Sequence, residues 1–294
     1  MVAIPSNNRY LVSTTDISDD YLLLTYFTDV SNQTKKVVGK RKYSLVVPKL
    51  INRDIETFEV IGLLQAEMSK VQNGCVQFAN HEIEIMNQIL RWFEREFNFD
   101  RGEWKWYIKL NINKPIDIAY KELIEAKVTD FWMKKTKINK EKPTPNTISY
   151  ISKTTHKKLK FHDYGTLIIE HKNNLLNQTL RKLVKEISYS MVSNDPGEIK
   201  AFMRGVIAGK SHIEFKKLPL GIHRVSISAT NSNERFLFQN CLQRLGIESK
   251  ICPNSNSIMI SRKHNLMELF NQNLMCRSRK KYNKFLKIIR LYNN

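Results

Sequence analysis

Glu67 and Lys210 stand at matching places in two ten-residue runs, Val-Ile-Gly-Leu-Leu-Gln-Ala-Glu-Met-Ser from Val60 and Met-Arg-Gly-Val-Ile-Ala-Gly-Lys-Ser-His from Met203. A carboxylate accepts hydrogen bonds and draws cations, whereas a protonated amine only donates and repels them. The two positions therefore oppose each other in what they can hold. Just before them, each run places small residues four apart, Gly62 and Ala66 in one and Gly205 and Gly209 in the other. Residues i and i+4 share a helix face. Glycine inside a helix is unfavourable by about 1 kcal/mol relative to alanine, so three of them in two apolar helices imply that these helices press backbone to backbone.

The elements that position these residues are legible as a duplicated mixed α/β unit of order α-β-β-α-β-(β)-α. After a helix ending at Glu67, a hairpin is expected across Asn73-Gly74 in a type I′ turn. It would set Val71, Val76 and Phe78 on an apolar face and Lys70, Gln72 and Gln77 on a polar one. An amphipathic helix from about His81 to Phe97 follows. The strand from Trp104 to Leu110 then turns Trp104, Trp106 and Ile108 inward and Lys105, Tyr107 and Lys109 outward, and a helix runs from about Ile116 to Lys134. In the second copy Ile213, Phe215, Val225 and Ile227 take the buried parity, leaving His212, Glu214, Lys216, Arg224 and Ser226 outward. Composition suggests a basic N-terminal extension over 1–50, a first half over 51–137, a linker over 138–157, a second half over 158–275 that includes a strand near Gly165 to His171, and a basic C-terminal helix over 276–294.

Lys and Arg number 48 against 28 acidic residues, a net charge of +20 in 294 residues. A surplus of that size points to a polyanion-binding surface. The outward Gln, Lys, Arg and Ser side chains suit base edges and phosphates, and a two-stranded ribbon fits the major groove. Among the tail residues Arg277, Arg279, Lys280, Lys281, Lys284, Lys287 and Arg290, two readings stay open, the solvated face of an amphipathic helix and a set of phosphate contacts. Cys75, Cys241, Cys252 and Cys276 form no metal or disulfide pattern, the seven histidines lack ligand spacing, and no phosphate-binding glycine loop or serine-hydrolase motif is present. No leader or membrane span is expected, which places the protein inside the cell.

The runs Phe58 to Glu67 and Phe202 to Gly209, with Cys241-Leu242-Gln243-Arg244-Leu245-Gly246-Ile247, make the chain similar to monomeric two-motif LAGLIDADG homing endonucleases. The resemblance implies an α+β fold of two pseudo-two-fold αββαββα halves whose antiparallel sheets form a DNA-binding saddle, with Gly62, Ala66, Gly205 and Gly209 at the helix interface. It implies that Glu67 is a catalytic metal ligand for Mg²⁺, that Lys109 or Lys105 supplies positive charge at the scissile phosphate, and that Lys70, Gln72, Gln77, Lys105, His212, Lys216, Arg224 and Ser226 contact nucleic acid. Lys210 departs from the pattern, because it occupies the place of the second acid and a protonated amine cannot ligate Mg²⁺. Three functions share this frame: a Mg²⁺-dependent site-specific endonuclease or nickase hydrolysing phosphodiesters, a nuclease-inactive regulator bound to double-stranded DNA, and an RNA maturase assisting intron splicing. A monomer without membrane partners is expected in each case.

Overall fold

The computed structural model describes residues 12–31, 38–68, 74–110, 118–138, 148–150, 164–216, 221–252 and 255–293. Three strands come first, β1 (Val12–Asp16), β2 (Tyr21–Ser31) and β3 (Val38–Pro48), paired as an antiparallel meander. Then come α1 (Ile55–Glu67), β4 (Val76–Asn80), α2 (Ile83–Phe97), β5 (Lys105–Leu110), α3 (Ile118–Thr136), β6 (Ile148–Tyr150), β7 (Thr166–His171) and α4 (Asn174–Ser190). The remainder is α5 (Pro196–Lys210), β8 (Ser211–Phe215), β9 (His223–Ser228), α6 (Ser232–Arg244), β10 (Lys250–Ile251), β11 (Ser257–Ile260), α7 (Lys263–Asn271) and α8 (Arg279–Asn293). Among the described residues, no helix is long and apolar enough to cross a membrane.

α1 and α5 form the central helix pair, and local chemistry starts each of them cleanly. Asp54 caps α1 by accepting from the Thr57 N–H at 2.7 Å, and Asp195 caps α5 by accepting from the Gly197 N–H at 2.7 Å, with Pro196 in the first turn where no donor is needed. α1 buries every residue from Thr57 to Leu64, the signature of a helix enclosed by protein rather than lying at its surface. The two helices meet where the sequence places its small residues. A Cβ at Gly62 would run into the Phe202 carbonyl and lie 3.0 Å from the Val206 nitrogen; one at Gly205 would run into the Glu59 carbonyl and lie 2.6 Å from the Leu63 nitrogen. Ala66 and Gly209 continue the same contact.

The two four-stranded sheets have the orders β4-β7-β5-β6 and β10-β11-β9-β8. Matching α1 with α5, β4 with β9, α2 with α6, β5 with β10, β7 with β11 and α4 with α7 makes the duplication explicit, because β4-β7-β5 and β9-β11-β10 are then the same strand order. The fold is an α+β arrangement of two related units around the α1–α5 helix pair. The partner strand expected before Asn73-Gly74, with Lys70, Val71 and Gln72, lies outside the described residues.

One boundary needs correction. β7, read from sequence as the opening of a second half starting at 158, is hydrogen-bonded between β4 and β5, and α4 packs on α1 and β4. The first unit therefore closes near Ser190, and α3 and β6 belong to an excursion inserted between β5 and β7. Composition misled because a Lys-, Asn- and Pro-rich stretch accompanies a long insertion as readily as a domain boundary. β7 carries the sign of its central position: Leu167, Ile168 and Ile169 are all buried, so the strand is covered on both faces. The N-terminal extension is likewise a folded layer, since Leu24, Leu45 and Val47 join the common core and β3 packs on α2 and α4.

Candidate nucleic-acid interface and helix-end cluster

Strand parity divides each sheet into a core face and an outer face. In the second sheet Ile213, Val225, Ile227, Ile258 and Ile260 are buried. The register then lines up His212, Ser226, Met259 and Lys250 across the outer face. His212 and Lys216 are exposed and Ser226 is partly so. Arg224 is partly exposed, and its guanidinium is held by Glu214 at 2.5–2.7 Å. Arg224 first among its neighbours, then Lys216, holds the Glu214 carboxyl below its ordinary range, so Glu214 serves as the internal counter-ion of this strip.

In the first sheet, Trp106, Ile108 and Leu110 are buried and Lys105 and Lys109 are exposed, with the Lys109 ammonium 5.9 Å from the Tyr107 ring centre. Trp104, expected in the strand, lies just before it and is buried. Gln77 is engaged internally, donating to Tyr107 Oη at 2.9 Å and to Glu170 Oε2 at 3.3 Å. Along one edge of the second sheet runs α8, whose Lys284 Nζ donates to the Ile213 carbonyl of β8. Its exposed residues include Arg279, Lys280, Lys287 and Arg290, and the helix contains no acidic residue.

Glu67 ends α1, and its Oε1 accepts from Asn80 Nδ2 at 3.0 Å. Asn80 belongs to the core face of β4, together with Val76 and Phe78. Lys109 projects from the opposite face of the same sheet, two strands away, so the structure does not bring Lys109 to Glu67. What lies beside Glu67 instead is the end of α5: a Cβ on Gly209 would be 3.1 Å from Glu67 Oε1. There Lys281 of α8 donates from Nζ to the carbonyls of Ile207 at 3.3 Å, Ala208, and Gly209 at 3.0 Å. Burial pushes the Glu67 carboxyl up to about 7 and the charge of Glu82 adds to this, against the Lys281 charge, the Asn80 hydrogen bond and the Lys210 charge. Burial also lowers the Lys281 ammonium, against the pull of Glu67 and Glu82. The preceding residues lock this segment in place: Ser278 Oγ donates to Glu82, and Arg277 Nη2 donates to the fully buried Glu59 of α1 at 2.7 Å.

Lys210 is turned into the protein. Its ammonium pairs with Glu234 in the first turn of α6, with side chains only 9% and 5% exposed, and lies 5.5 Å from the centre of the Phe238 ring. Glu234 also accepts from Gln65 Nε2 at 2.6 Å and from the Thr230 N–H. Burial alone would raise the Glu234 carboxyl, yet the hydrogen bonds from Lys210, Gln65 and Thr230 and the Lys210 charge together hold it below its ordinary range.

These donors do not suit Mg²⁺. That ion needs an octahedral oxygen set, commonly from one or two carboxylates and water. At this locus the carboxylates of Glu67 and Glu82 share the field of Lys281, with Lys210 also acting on Glu67, and among the described residues no group of three or more His, Cys, Asp or Glu is gathered for a metal. Sequence reading missed Asn80, Glu82 and Glu234, and named Lys281 only as a solvated or phosphate-contacting tail residue, whereas it bonds the α5 carbonyls. Glu234 had a signal, because it stands three residues after the cap Asn231 in the position of a capping-box acid. Lys281 had none beyond its charge.

No family model matches the chain, and no curated protein matches it. Among solved structures it is similar to the N-terminal LAGLIDADG domain of DUF199/WhiA, with a TM-score of 0.39 and 11% identity over 75% of this chain and 81% of that one. It is also similar to full-length DUF199/WhiA from Thermatoga maritima, with a TM-score of 0.39 and 12% identity over 81% of this chain and 62% of that one.

Proposed function

We propose that the protein binds double-stranded DNA through the outer faces of its two sheets and the basic side of α8, and that it acts as a DNA-binding regulator without double-strand cleavage. The net charge of +20 supplies the electrostatic attraction to a polyanion, and exposed Lys105, Lys109, His212 and Lys216 supply donors on the strands. The observation that carries the absence of cleavage is the Lys210–Glu234 pair. The second motif helix ends in a cation already neutralised inside the protein, so hydrolysis on two strands lacks the second carboxylate it requires.

The test is fluorescence anisotropy with duplex DNA, single-stranded DNA and a folded intron transcript over a salt series, beside incubation of plasmid DNA with Mg²⁺ or Mn²⁺. Duplex binding that weakens at least about a hundredfold between roughly 50 and 200 mM salt, with the plasmid left intact, supports the reading. Preference for the transcript would move the assignment to RNA. Double-strand breaks abolished by Glu67→Gln would overturn the regulator reading.

A further inference from the structure

A motif helix that ends in a carboxylate presents two kinds of negative charge at its tip: the side chain itself and the last carbonyls of the neighbouring helix, which have no intrahelical donor. Here both meet at one point. Glu67 Oε1 lies against Gly209, and the carbonyls of Ile207, Ala208 and Gly209 converge on a single ammonium from α8, that of Ile207 also accepting from the Ser211 N–H. Glu82 stands in the same cluster, with one oxygen bonded to Ser278 and the other, Oε2, buried without a hydrogen-bond partner. The locus is rich in oxygen acceptors, and its cation is covalently part of the chain.

We propose that Lys281 is a tethered cation that takes the place of a divalent metal at the acid end of the central helix pair, closing that end permanently and tying the C-terminal helix to both halves. Three features favour an integral role over a chance contact. Arg277 with Glu59 and Ser278 with Glu82 anchor the preceding residues on the first unit, while Lys284 on the β8 edge anchors the next turn on the second. Lys281 sits between these anchors. It also supplies a donor to three carbonyls at the α5 C-terminus.

The test needs no nucleic acid, so its failure is separable from failure of the DNA-binding reading. Wild type, Lys281→Ala, Glu67→Gln and the double variant are titrated with Mn²⁺ near neutral to mildly basic pH, with bound metal read by electron paramagnetic resonance and stability read by urea unfolding. Wild type is expected to show no Mn²⁺ site that Glu67→Gln removes. Lys281→Ala is expected to gain such a site, and the double variant to lose it. In the unfolding cycle, Lys281→Ala should lower the folding equilibrium constant at least about tenfold more in wild type than in the Glu67→Gln background. A Glu67-dependent Mn²⁺ site in wild type overturns the proposal, and this arm stands even where Lys281→Ala fails to fold. A folded Lys281→Ala without a Mn²⁺ site, or additive stability effects, overturns it equally.

Discussion

Replacing Glu67 by glutamine should change how stability depends on pH. In the folded protein this carboxyl is pushed up to about 7 from an ordinary 4.5. Below pH 4.5 it is protonated in folded and unfolded chains alike and contributes nothing to the difference. Between 4.5 and 7 the unfolded chain releases the proton while the folded one keeps it, so stability falls as pH rises. The shift of about 2.5 units corresponds to about 3 kcal/mol, fully developed above pH 7. Glutamine keeps the size and an acceptor for Asn80 but has no proton to lose. Urea unfolding of both proteins at steps from about pH 5 to pH 8 should show Glu67→Gln gaining on wild type by about 2 to 3 kcal/mol across that range. The pull of Lys281 and Lys210 and the push of Glu82 on the carboxylate are already contained in the value of about 7, so they are part of the expected difference. A wild-type-minus-variant difference that stays flat with pH, or that favours wild type as pH rises, would refute the argument that burial dominates this site.

Other outcomes follow from the same geometry. Gly205→Ala drives a methyl group into the Glu59 carbonyl and the Leu63 nitrogen, which are backbone atoms, and should destabilise by about 3 kcal/mol in urea unfolding. Glu234→Ala removes the carboxylate that pairs with the buried Lys210 ammonium and should destabilise by about 3 to 5 kcal/mol, while Lys210→Met combined with Glu234→Leu should recover most of that loss. Lys105→Ser with Lys109→Ser removes two exposed cations and should lower the slope of log K against log salt by about 2 for duplex DNA, with the unfolding midpoint unchanged. A slope unchanged within error would remove β5 from the interface.

Patterning legible along the chain covered the helices and the strand faces. The four-residue spacing of Gly62, Ala66, Gly205 and Gly209 announced a close helix pair, because only backbone contact compensates for glycine in a helix. Alternation announced Trp106 and Ile108 inward and Lys105 and Lys109 outward, because strand side chains have a period of two. Those are local rules, and they need no knowledge of distant partners. The same locality explains the misplaced boundary at β7, since hydrogen bonding to β4 and β5 joins segments separated by a long excursion and leaves no mark on composition.

Site chemistry divides in the same way. That one helix ends in Glu67 and its counterpart in Lys210 is a property of the sequence, and it already disfavours a symmetric pair of metal-binding acids. That Lys210 finds Glu234, that Asn80 holds Glu67, and that Lys281 caps the α5 carbonyls are decided only by folding. Charge neutralisation inside a protein depends on separations of a few ångströms, and residues distant in sequence reach such separations only through packing.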